Sequence, residues 1–161
     1  MSHTARHKIL ILTVGMGQPE NTEESLYHPM LASIEKGGWT HIVLLPSATA
    51  TGRAREIAHR IEGPDMTVRP LAHAGMEDQL EDCLAFFVSV IRELQKKPGA
   101  SPTITADFTR GTKTMSVALA LSAARCRIHA LRYTTNSRDA DGTVLPGTVQ
   151  ICEERISSLL R

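Results

Sequence analysis

Between Asp107 and Ser116 the chain reads DFTRGTKTMS, a stretch dense in hydroxyls and carrying two cations and one glycine. Thr109, Thr112, Thr114 and Ser116 can donate hydrogen bonds, Gly111 lets a ligand approach the backbone, and Arg110 and Lys113 bring positive charge. If a helix opens near Thr112, its first amides, from Gly111 to Thr114, have no intrahelical acceptor and form an anion site. No acidic residue occurs from Phe108 to Arg138, whereas Arg110, Lys113, Arg125, Arg127, Arg132 and Arg138 are all cationic. The chemistry indicated is the holding of an anion. A capped helix with solvated cations would have the same composition, so composition leaves both readings open. A Walker A loop is excluded, because Thr112 separates Gly111 from Lys113 and the earlier glycine is absent.

A second loop of unusual composition, GMGQPENTEES, begins at Gly15. Gly15-Met16-Gly17 is similar to the start of a G-x-G-x-x-G dinucleotide fingerprint, but Glu20 stands where the third glycine belongs. The second strand ends in LLPS, without the Asp or Glu that would hold a ribose. These departures weigh against a nicotinamide site. Other candidates are poorer: His41 and His59 read as surface or strand-end residues, and no His/Cys cluster has metal spacing, so no metal is expected. Glu23-Glu24 and Glu77-Asp78 fall in first turns of helices, where a dipole role suffices. Ser25 has no evident His/Asp partners, and Trp39 reads as a packing anchor at a helix–strand corner.

Both loops need strands to position them. KILILTV (8–14) and HIVLLP (41–46) are continuous apolar runs, as expected of strands buried on both faces, and TITADF supplies another. MTVRPL is a weaker strand, placed near an edge by Pro70. RIHALRY reads as a strand and TVLPGTVQI as a final irregular one, across the turn TTNSRDADG. Helical spacing joins Leu26, Met30, Leu31 and Ile34, then Ile57, Ala58 and Ile61 up to Gly63-Pro64. A longer stripe joins Leu80, Cys83, Leu84, Phe87, Val90, Ile91 and Leu94 and stops at residues 96–99. The helix from Thr112 is apolar nearly all round, which predicts burial on more than one side. ICEERISSLLR opens a helix-like pattern at the end of the chain.

This alternation predicts an α/β, Rossmann-like, doubly wound and mainly parallel sheet with helices on both faces. The expected order is 3-2-1-4-5 plus a C-terminal strand. In such a sheet ligands sit beyond the carboxyl ends of strands one and four, where strand order reverses. The Gly15 and Gly111 loops both fall there.

The bulk properties agree. A chain of 161 residues is most simply one domain, and a net charge of +1 argues against a long nucleic acid or a polybasic membrane partner. Cys83, Cys126 and Cys152 are odd in number and widely spaced, as buried thiols of a reducing cytoplasm would be. The N-terminal MSHTARHKILILTV lacks signal-peptide architecture, and no segment has bilayer length.

At its two loops the sequence resembles the CARF (CRISPR-associated Rossmann fold) family, the sensor domains of type III CRISPR ancillary proteins. The matching pieces are ILTVGMGQPENTEESLYHPMLASI, HIVLLPS, DFTRGTKTMSVALALSAA and RDADGTVLPGT. The family pattern D-x-T-x-G-T-K-x-M-S is met by Asp107, Thr109, Gly111, Thr112, Lys113, Met115 and Ser116. Arg110 stands where a small residue is commoner and adds a candidate phosphate contact.

The resemblance implies a homodimer whose paired crevices bind cyclic oligoadenylate, with cyclic tetra-adenylate ahead of cyclic hexa-adenylate, and no cofactor. Thr13, Val14, Gly15, Met16 and Gly17 would flank the ring, and Ser47 would reach an adenosine. Thr109, Arg110, Gly111, Thr112 and Lys113 would hold phosphate or ribose. It also implies a sensor over residues 1–150, with 151–161 opening a helix or connection to an effector domain that this chain lacks. A HEPN ribonuclease is a common effector of this kind, but RIEGPDMTVRPLAH does not supply its motif on a helix. Two other readings stand beside the sensor. One is a ring nuclease that slowly cleaves its ligand, with Lys113 and Thr109 stabilising charge. The other is a regulator binding a mononucleotide or dinucleotide in an ordinary Rossmann crevice.

Overall fold

The computed structural model describes residues 7–96 and 101–161. Six strands form one sheet in the order β3-β2-β1-β4-β5-β6. They are β1 (Lys8–Val14), β2 (His41–Pro46), β3 (Asp65–Val68), β4 (Thr103–Asp107), β5 (Ala130–Thr135) and β6 (Gln150–Arg155). All neighbouring pairs are parallel except β5 and β6, which run antiparallel. Strand order reverses at β1, which pairs β2 on one side and β4 on the other. The α/β, Rossmann-like class and its order are those expected from the sequence.

The sheet separates two apolar layers because side chains alternate along a strand. Ile9 and Ile11 of β1 and Val43 and Leu45 of β2 face α3 (Leu80–Gln95) and α4 (Lys113–Arg125). Leu10, Leu12, Ile42 and Leu44 face α1 (His28–Glu35) and α2 (Thr51–His59). Helices therefore lie on both faces. A π-helical turn, Glu23–Tyr27, leads into α1, and a short helix, α5 (Ile156–Leu159), follows β6.

Several boundaries differ from the sequence reading. Ile61 lies beyond α2, which ends at His59, although it still packs partly buried against that layer. Leu80, at the first position of α3, is 42% exposed, while Cys83, Phe87, Val90, Ile91 and Leu94 are buried as the stripe predicts. α3 ends at Gln95 with Lys96 as its C-cap, where the expected stop over residues 96–99 begins, and residues 97–99 lie outside the described residues. β5 begins at Ala130 because the chain must first turn at Arg127, whose φ is +51°. β6 occupies Gln150–Arg155, so most of TVLPGTVQI is loop and the helical pattern in ICEERISSLLR is confined to α5. The backbone of Tyr133, Thr134 and Thr135 offers ladder partners to Cys152, Ile151 and Gln150, and that pairing overrides the local pattern.

α4 departs most from expectation. Met115, Ala118, Leu119 and Ala123 are buried against α3 and the sheet, but Val117 and Leu121 are 49% and 48% exposed. Its apolar circumference is covered on one side only, since no other described element packs over positions 117 and 121. No helix among the described residues is long and apolar enough to cross a membrane.

Candidate functional site

The two loops meet at the carboxyl ends of β1 and β4, where the strand order reverses. They come close at their glycines: a Cβ on Gly15 would stand 3.1 Å from the Cα of Gly111. Gly111 has φ +106°, and a Cβ there would stand 3.1 Å from the Cβ of Thr13. Gly17 has φ +71°, with Leu26 and Ser25 behind it. Side chains at these positions would push the loops apart or strain them.

The gap between the loops widens into a cavity of about 450 Å³. Gly15, Met16 and Gly17 line it from the first loop, Thr109, Arg110, Gly111 and Thr112 from the second, and Ser47 from the end of β2. These eight sequence candidates are brought together. Thr13 lies fully buried beneath them, its hydroxyl donating to the Arg110 carbonyl. Val14 is fully buried in the apolar layer shared with α1 and α2. Lys113 opens α4 on the exposed surface and does not line the cavity.

Most of the hydroxyls already have work. Thr112 caps α4 by accepting from the Met115 amide at 3.1 Å, and it donates to the Glu77 carbonyl at 2.8 Å. Thr109 donates to Asp107 Oδ1 at 2.5 Å and accepts from the Thr134 amide at 2.8 Å. Ser116 donates to the Phe108 and Thr112 carbonyls. Ser47, almost fully buried, lies 3.3 Å from the Thr49 hydroxyl, and its amide donates to the Val14 carbonyl. They build the loop, and the anion-holding capacity passes to backbone amides and Arg110.

Arg110 is half-buried and its Nε, shielded from solvent, has no hydrogen-bond partner. Burial pulls its guanidinium below the ordinary range, and the Asp107 carboxylate acts in the opposite direction. Asp107 is committed elsewhere, accepting from Ser33 Oγ at 2.6 Å and from the Thr109 amide and hydroxyl. A buried guanidinium with donor capacity left over is suited to a phosphate or carboxylate.

Glu77 was not among the sequence candidates for the site. A 3-10 turn, Met76–Asp78, precedes α3 and brings it into the cavity lining, a larger role than complementing a helix dipole. The Thr112–Glu77 link that fixes it spans 35 positions of sequence, and no local pattern announces it. Glu77 also helps burial push the Cys83 thiol up to about 11. Thr49, Gln18, Ser25 and Leu26 complete the lining. No group of three or more His, Cys, Asp or Glu residues among the described residues could hold a metal ion.

Two solved ligand complexes have a similar fold. One is Csm6 from Enterococcus italicus, bound to cyclic hexa-2'-fluoro-hexa-dAMP: 16% identity, TM-score 0.64, covering 96% of this chain and 44% of that one. The other is Can2 from Sulfobacillus thermosulfidooxidans, in complex with cyclic tetra-adenylate: 13% identity, TM-score 0.59, covering 93% and 37%. Protein VC1899 from Vibrio cholerae is also similar, at 11% identity and TM-score 0.55 over 80% of this chain and 31% of that one. The chain thus spans less than half the length of each of these structures. No family model and no curated protein matches it. At these identities the likeness establishes the fold.

Proposed function

We propose that this chain is a sensor domain for cyclic oligoadenylate, with cyclic tetra-adenylate preferred over cyclic hexa-adenylate. On this reading it acts as a homodimer in the cytoplasm, residues 1–150 together with the rest of β6 and Ile156 form the sensor, and the remainder of 151–161 leads towards a type III CRISPR effector that it controls. The observation that carries the reading is the apposition of Gly15 and Gly111 at the β1/β4 switch point, beside the unpartnered Nε of Arg110. Bare backbone lets a bulky phosphodiester ring lie close, and the ring's phosphates pair with a guanidinium that burial has left short of acceptors. The two solved complexes of this fold carry rings of this class, which supports the choice of ligand.

Thr13, Val14 and Lys113 take indirect or peripheral parts. Thr13 and Val14 set the loop from below, and Lys113 contributes charge on a flexible stem from the first turn of α4. Slow cleavage of the ring by attack of a ribose 2'-hydroxyl has less support, because the Thr109 hydroxyl is already engaged by Asp107 and Thr134. An ordinary mononucleotide or dinucleotide regulator is weaker still, since no carboxylate stands at the end of β2 to hold a ribose.

Calorimetric titration of the full chain with the tetra- and hexa-adenylate rings tests the sensor. Binding at micromolar concentration or tighter is expected, and silence with both rings rejects it. Lys113→Ala is expected to weaken binding by about 0.3–1 kcal/mol, the worth of an exposed charge near an anion. Unchanged affinity in that variant removes Lys113 from the site.

A further inference from the structure

Two residues of opposite charge line the cavity and are not spent on each other. Arg110 and Glu77 both line it, and no ion pair within 4.0 Å joins them or engages either elsewhere among the described residues. Oε2 of Glu77 is shielded from solvent and has no hydrogen-bond partner. Its position is imposed by the backbone: Gly75 at φ +88° opens the turn, and Thr112 pins the Glu77 carbonyl at 2.8 Å. Glu77 is therefore held at the cavity wall with Oε2 just beneath its surface, where a turn of the side chain presents it to a ligand donor.

A shielded carboxylate oxygen without a donor is costly, and such groups in native proteins call for an explanation. A phosphate cannot be the partner, because like charges repel. A neutral donor can.

We infer that Glu77 is the residue that reads the nucleoside part of the ligand, accepting a hydrogen bond from an adenosine donor while Arg110 and the glycine pair take the phosphate. The donor class is an O–H or N–H of adenosine, either the ribose 2'-hydroxyl or the exocyclic amine of the base. The inference rests on the sensor reading above and adds a direction to it. The ring must sit with its phosphates towards Gly111 and Arg110 and its donors towards the 76–78 turn. A site with a shielded acceptor rejects a ligand lacking the matching donor far more strongly than a merely apolar wall does.

Calorimetry with three rings tests this on the full chain: cyclic tetra-adenylate, its 2'-fluoro analogue, and the corresponding inosine ring, in which oxygen replaces the exocyclic amine. The wild type is expected to lose roughly tenfold or more on one analogue, which identifies the donor. Glu77→Met, close in shape but lacking the acceptor, is expected to bind the natural ring roughly tenfold or more weakly and to lose that discrimination. Glu77→Gln should fall between the two. All these substitutions keep the backbone bond from Thr112. Unchanged or tighter binding of the natural ring by Glu77→Met overturns the role of Glu77 while leaving the sensor intact, as does equal wild-type affinity for all three rings. A wild type that binds no ring overturns both.

Discussion

At residues 15 and 111 a hydrogen atom is the whole side chain, and the contact between them depends on it. Gly111→Ala places a methyl 3.1 Å from the Thr13 Cβ at a φ of +106°, which an L-residue rarely adopts. The variant is expected to lose about 1–2 kcal/mol of stability in urea denaturation and to bind the ring roughly tenfold more weakly. Parental stability together with parental affinity would show that the loops do not need this approach. The glycines were legible in the sequence because their spacing follows two apolar strands. The threonines were legible as polar groups but not in their roles. A hydroxyl at a helix start or strand end serves the nearest open backbone group first, as Thr112 and Thr109 do. Glu77 was hidden because only the folded chain sets its turn against the Gly111 loop.

At the scale of elements, α4 connects the cavity to the core. Its cap residue satisfies the Met115 amide and also clamps the turn before α3, so one hydroxyl joins two helices. Thr112→Val keeps the shape and removes both bonds. It is expected to cost about 1–3 kcal/mol, read as a lower thermal or urea midpoint. A midpoint unchanged from the parent would mean that the clamp is solvated in the parent as well. The strands at the centre of the sheet could be read directly, since burial on both faces demands unbroken apolar runs. A C-terminal strand was expected, but the bounds of β6 could not be read: an edge strand with Glu153, Glu154 and Arg155 exposed has no such run, and β5 decides its conformation. The exposed Val117 and Leu121 follow the same logic, since composition records that a helix is apolar but not how many neighbours reach it.

At the scale of the whole molecule, the alternation of strands and helices set the topology, and the topology set the crevice. On the proposed reading a ring with internal symmetry occupies two copies of that crevice, each chain supplying the same contacts. Calorimetry should therefore return one ring per two chains, and a one-to-one ratio would remove the shared site.

Arg132 of β5 gives the molecule a further property. Buried in the sheet opposite Asp107, it donates to the Ser33 carbonyl at 2.8 Å and the Lys36 carbonyl at 2.7 Å, while Asp107 holds the Ser33 hydroxyl. The C-terminal end of α1 is thereby fastened to two strands beneath it by charged groups that cannot be released singly without stranding a buried charge. Opening of either element must take the other with it. In deuterium oxide, the amides of α1 and β5 should exchange as one cooperative block, with a common opening free energy.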